Sequence, residues 1–145
     1  MLTDNFDILF CMDCPFCKIV AGELPSYKVY EDDLVYAFLD IGPTTKGHTL
    51  VVPKKHTENT LTIDEETLTR VMKVAKKIAL EYKQSLGAEG FNFWNNTGAA
   101  AEQVVFHYHL HLLPRYAGDN IRISIKHDES IDVEAVHKQI TSSKN

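Results

Sequence analysis

Phe106–Pro114 reads FHYHLHLLP, which sets His107, His109 and His111 at every second position with tyrosine and leucine between them. Alternation of period two belongs to a strand, whose successive side chains point to opposite faces. A strand over Val104–Leu113 would carry the three imidazoles on one face. Phe106, Tyr108, Leu110 and Leu112 would cover the other, against a helix. Three readings are open: a metal held by all three rings, a nucleophile with its supports, or a half-exposed strand with no chemistry. Three of the chain's seven histidines in strict alternation favour chemistry.

Working outward, the loop before this stretch is Asn95-Asn96-Thr97-Gly98-Ala99-Ala100-Ala101-Glu102-Gln103. Its small residues permit close backbone approach, and amides in such turns can cradle an anion. Phe91–Asn95 reads as a strand. Before it, Leu68, Val71, Met72, Ala75, Ile78, Ala79 and Tyr82 recur at three- and four-residue spacing. That periodicity predicts one long amphipathic helix from Asp64 to Leu86, capped by Asp64 or Thr62 and ended by Gly87. Ser26–Tyr30, Leu34–Leu39 and Thr49–Val52 read as strands, the first two joined by the Glu31-Asp32-Asp33 turn. Ile121–Ile125 is a further candidate strand, and Asp132–Thr141 a short C-terminal helix. The order β-β-β-α-β-β lacks βαβ alternation, so the expected fold class is α+β with an antiparallel sheet.

At 145 residues the chain is long enough for one domain with a real core. Its net charge is −5 and no basic stripe interleaves with aromatics, which argues against a nucleic acid polymer as partner. No apolar run approaches the roughly 20 residues that span a bilayer. The opening MLTDNFDILF lacks the features of a signal peptide, so a cytoplasmic protein is expected, with no membrane partner. Met12 opens the phrase MDCPFCKIV, and residues 1–12 are read as an N-terminal extension to a single domain over 13–145. Cysteines at 11, 14 and 17 are too crowded for a disulfide framework in such a chain. Cys14 and Cys17, in C-x-x-C spacing, could chelate one tetrahedral ion that two imidazoles would complete.

The segments CPFCKIVAGELPSYKVYEDDLVYAFLDI, KGHTLVVPKKH and NNTG…QVVFHYHLHLLPRY resemble the bacterial members of the histidine triad (HIT) family of nucleotide hydrolases and transferases. The resemblance covers about residues 13–118. It implies a HIT-like antiparallel sheet that continues across a homodimer. It further implies cleavage at the α-phosphorus of purine nucleoside 5′-phosphate derivatives, whether phosphoramidates or dinucleoside polyphosphates, through a nucleotidyl-histidine intermediate. His109 then corresponds to the nucleophile, His111 to a donor to phosphate, and His48 to a support of the triad. Phe16, Asp40, Ile41, Asn96, Gln103, Val105 and His111 correspond to the nucleotide-binding set. Cys14, Cys17, His56 and His107 correspond to a structural zinc site, with His48 the competitor for His56. Where the family usually carries Gly-Gln-Ser or Gly-Gln-Thr, this chain has Glu102-Gln103-Val104. A carboxylate beside the phosphates and a missing hydroxyl leave room for an alternative, a weakly active nucleotide-binding or regulatory module.

Overall fold

A computed structural model describes residues 13–142. The expected extension at residues 1–12, with Cys11 and Met12, lies outside the described residues. Strands β1 (Lys28–Glu31), β2 (Val35–Leu39), β3 (Thr49–Pro53), β4 (Gly90–Trp94) and β5 (Leu110–Arg115) form one sheet in the order β1-β2-β3-β5-β4. Every neighbouring pair is antiparallel, as the element order predicts. Helices α1 (Pro15–Val20) and α2 (Glu65–Ser85) lie on opposite sides of this sheet, and α3 (Val133–Ser142) follows it.

Both faces of β2 and β3 are covered, which explains why VYAFL and TLVV read as continuous apolar runs rather than alternating ones. Val35, Ala37 and Val51 pack with Val71, Val74, Ala75, Ile78 and Tyr82 of α2, joined from the triad stretch by Tyr108, Leu110 and Leu112. Tyr36, Phe38, Leu50 and Val52 turn the other way, onto Cys14, Phe16 and Cys17. The long helix starts as its sequence predicts: the Asp64 carboxylate accepts from the Thr67 N–H at 2.9 Å. Asp64 and not Thr62 is the cap, and the chain leaves the helix through Leu86 before Gly87 at φ 71°. Asp32 builds the β1–β2 turn by accepting from the Leu34 and Val35 N–H groups at 2.9 and 2.8 Å.

The structure corrects three expectations and adds one helix. Strand β5 begins at Leu110, not Val104, so His107 and His109 stand on irregular backbone ahead of it. The reason is local: the Tyr108 N–H bonds the Thr57 carbonyl at 2.7 Å rather than a ladder partner, while His107 sinks to complete burial. Phe106 is accordingly 40% exposed instead of lying under α2. Ile121–Ile125 forms no strand; Ile123 and Ile125 are exposed, and the Ile121 carbonyl is held by the Arg115 guanidinium. The short helix α1 had no periodic signal, being only six residues long, and starts at Pro15, whose fixed φ suits the first helical position. The expected terminal helix is present as α3, whose described side chains are all exposed.

Candidate functional site

Two clusters of histidines share the sheet face on which α1 sits. In the first, α1 and its preceding residue supply the sulfurs of Cys14 and Cys17, and the loop after β3 supplies His56. The Cys14 Sγ lies 3.4 Å from Nδ1 of His107, and the Cys17 Sγ lies 3.6 Å from that atom and 3.3 Å from Nδ1 of His56. All four donor atoms fall within 4.8 Å of one another. Two ligands of a tetrahedral zinc, one sulfur and one nitrogen, are separated by about 3.6 Å from ordinary bond lengths. The donor set, its spacing and its burial fit that ion. His107 is fixed for such a role by its far nitrogen: Nε2 donates to the Pro53 carbonyl at 2.9 Å, which leaves the Nδ1 lone pair facing the sulfurs. His56, not His48, joins the cysteines.

The second cluster is His109, His111, His48 and Asp40. A carbonyl can only accept and a backbone N–H can only donate, so the partners define each tautomer. Nδ1 of His109 lies 2.7 Å from the His107 carbonyl and must carry its proton, leaving the Nε2 lone pair available. The Thr44 N–H donates to Nδ1 of His48 at 3.2 Å, so the His48 proton sits on Nε2. That proton is directed at Nδ1 of His111, 2.9 Å away, which puts the His111 proton on its own Nε2. An unprotonated Nε2 and a protonated Nε2 thus stand on adjacent rings, 5.0 Å apart between centroids. One carries a free lone pair and the other a proton that it can donate.

Electrostatics keep these rings neutral. Burial pushes His111 down to about 4, with His109 and His48 adding to the effect. Burial also lowers His48, opposed by the Asp40 carboxylate, whose Oδ2 lies 3.6 Å from Nε2. His109 is lowered by burial against the opposing bond to the His107 carbonyl. A neutral imidazole near pH 7 is what a nitrogen nucleophile requires. The three triad rings do not converge on one point. Among the described residues, the donor groups that converge are the cysteine set and Asp40–His48–His111.

Phe16 packs edge-on against His109 at 5.2 Å and against His107 at 5.8 Å. Asp40 points one oxygen at the Gly42 N–H, 2.8 Å away, and the other toward His48. Ile41, beside it, is 90% exposed on a loop, an apolar side chain left uncovered next to the cluster. Asn96 donates to the Glu102 carbonyl at 3.3 Å. Gln103 is buried with its amide engaged by backbone groups: it accepts from the Gly98 N–H at 2.7 Å and donates to the Glu58 and Val105 carbonyls at 2.7 and 3.1 Å. Val105 is half-buried against the α1 face. Glu102 and Val104 are exposed, and Glu102 takes φ 63°, the left-handed region in which glycine is unstrained.

Sequence reasoning missed four contributors. The Pro53 carbonyl and Thr44 N–H act through backbone, which residue type does not reveal. Asn95, read as the end of a strand and the start of a loop, donates to the His109 carbonyl at 2.8 Å and steadies the backbone of that residue. Trp94 stands 5.7 Å from His111; cross-strand register, which one sequence does not print, brings it there.

A HIT domain family profile matches residues 21–118. An uncharacterised HIT-like protein of Borreliella burgdorferi is 51% identical over 124 residues, covering 84% of this chain and 89% of that protein. Among solved structures, a zinc-bound histidine triad family protein from Mycobacterium smegmatis superposes with TM-score 0.74 at 38% identity, over 92% of this chain and 99% of that one. A hypothetical histidine triad nucleotide-binding protein from Sulfolobus tokodaii superposes with TM-score 0.70 at 43% identity, over 90% and 91%.

Proposed function

The chain belongs to the HIT domain family, and on that footing we propose that it is a nucleotide hydrolase acting at the α-phosphorus of purine nucleoside 5′-phosphate derivatives. Phosphoramidates and dinucleoside polyphosphates are the two substrate classes. The observation that carries the reading is the pair of opposite tautomers, with the Nδ1 of His109 spent on the His107 carbonyl and the Nδ1 of His111 spent on His48.

In the first step Nε2 of His109 attacks phosphorus and forms a P–N bond. The P–N or P–O bond to the leaving group breaks, its electron pair departs with that group, and solvent protonates it. Nε2–H of His111 donates to a phosphate oxygen as negative charge builds there, the role of a preorganised donor at a transition state. Water then attacks the same phosphorus and gives up a proton to solvent, the bond to His109 breaks, and the imidazole recovers its lone pair. Phe16, Ile41 and Val105 provide apolar contact for the nucleoside, Asp40 accepts from ribose hydroxyls, and Asn96 and Gln103 frame the phosphate loop.

Cys14, Cys17, His56 and His107 would hold a structural zinc, whose contribution is to cross-link α1 to the backbone entering the triad. A second copy of the chain continues the sheet as a homodimer; sedimentation should give twice the 16.4 kDa chain mass, and a monomer at micromolar concentration contradicts it. The weakly active binding module remains a second reading on two observations: the exposed Val104 offers no hydroxyl, and the Gln103 amide is engaged by the Gly98 N–H and the Glu58 carbonyl. Incubation with adenosine 5′-phosphoramidate separates the two. The enzyme releases adenosine monophosphate and ammonia, and His109→Ala loses turnover by about 10³-fold or more while still binding the product. Binding without turnover in the native chain favours the second reading.

A further inference from the structure

His109 carries the free lone pair, yet it stands on irregular backbone one residue before β5 begins. The pairing of β4 with β5 runs as far as Trp94 opposite His111. Two residues further along, where the same register would set Asn96 against His109, the ladder has ended, and a side chain takes its place. Nδ2 of Asn95 donates to the His109 carbonyl at 2.8 Å. His109 is therefore anchored twice, on its ring by the His107 carbonyl at 2.7 Å and on its backbone by Asn95.

The Asn95 amide has one orientation. A carbonyl only accepts, so the NH₂ group faces His109 and Oδ1 faces the other way. There Oδ1 meets the hydroxyl of Thr60 and, at 2.9 Å, that of Thr97, which also lies 2.8 Å from the Thr60 hydroxyl. Thr60 belongs to the segment after β3, and that segment grips the approach to β5 at two further points. The Thr57 carbonyl accepts from the Tyr108 N–H at 2.7 Å, and the Glu58 carbonyl accepts from the Gln103 amide at 2.7 Å. Each of these bonds lies within one chain.

We infer that Asn95 is a positioning residue for the nucleophile: with Thr60 and Thr97 orienting its amide, it sets the attitude of His109 through that residue's carbonyl and does not touch the nucleotide. This deepens the proposed nucleotidyl transfer and rests on it. A reacting atom displaced by about 1 Å can cost on the order of 10²-fold in rate. Because the anchor acts on the nucleophile and not on the ligand, its loss should appear in the rate of P–N bond formation and leave nucleotide affinity alone.

Single-turnover rapid quench with adenosine 5′-phosphoramidate, scored as adduct on His109, measures that rate in the intact chain; calorimetric titration with adenosine monophosphate measures affinity. Asn95→Leu should slow adduct formation by on the order of 10²-fold, with the affinity of the native chain and a folded circular dichroism spectrum. Thr60→Val, at an exposed position, should slow it less. Added to Asn95→Leu it should slow it no further, because the hydroxyl acts through the amide. Should Asn95→Leu fail to fold, Asn95→Asp carries the same expectation: it keeps the size and the acceptor toward Thr60, but turns an oxygen on the His109 carbonyl. A native rate in the Asn95 variant, a loss matched by an equal loss of affinity, or two losses that multiply would overturn the inference. If the native chain neither binds adenosine monophosphate nor forms the adduct, the nucleotide reading fails and takes this inference with it; native transfer with an unimpaired Asn95 variant removes the inference alone.

Discussion

Each triad histidine is defined less by its own type than by what its second nitrogen touches. His107 spends Nε2 on the Pro53 carbonyl and offers Nδ1 to sulfur; His109 spends Nδ1 on a carbonyl and offers Nε2; His111 receives at Nδ1 and donates from Nε2. The state of the third ring has a consequence for stability. Burial holds His111 near 4 in the fold, whereas an unfolded imidazole titrates near 6.5. Its burial contribution is therefore full above about pH 6.5 and is lost as pH falls from there toward 4, because the unfolded chain binds the proton the folded chain refuses. Urea melts at about pH 7.5, 6 and 5 should show falling midpoints, with a shallower decline in His111→Asn. An equal decline in the variant would count against it. The residue types were legible in the sequence, and the division of labour followed from family resemblance. The tautomers were not, since backbone carbonyls and N–H groups set them.

At the scale of elements, periodicity predicted what packing enforces. The helix from Asp64, the antiparallel order and the paired hairpin strands were all readable, because burial of one or two faces leaves a pattern in residue type. Strand β5 was drawn six residues too long at its start. Alternation continued through His107 and His109, but the cause there is the buried cysteine–histidine cluster around His107 and a bond from Tyr108 to Thr57, not a ladder. The loop ahead of it holds Glu102, at the position where the resemblance implies a glycine. Glu102 occupies a left-handed conformation at φ 63° with its side chain exposed. A non-glycine residue there costs about 1 kcal/mol. Glu102→Gly should thus be neutral or stabilising by up to about 1 kcal/mol in denaturant melts, despite the added freedom of the unfolded chain. A loss of more than about 1 kcal/mol would mean the side chain makes a contact that holds the loop.

For the whole molecule, the two histidine clusters are connected in sequence and distinct in their donor groups. His107 belongs to the cysteine set, and its carbonyl orients His109, so a metal that fixes one fixes the attitude of the other. Zinc should copurify with the chain, and its removal by a strong chelator should lower the melting midpoint by on the order of 10 °C, since metal binding adds to folding free energy. Cys17→Ser should reproduce that loss; an unchanged melt after verified metal removal would contradict the structural assignment. No helix among the described residues is long and apolar enough to cross a membrane. The central claim is that Nε2 of His109 forms a bond to phosphorus. Rapid quenching of the native chain with adenosine 5′-phosphoramidate, followed by peptide mapping in a mass spectrometer, tests it directly. An adenylyl adduct should appear on His109 and vanish in His109→Ala. Sustained turnover with no adduct, or an adduct on another residue, would contradict the account.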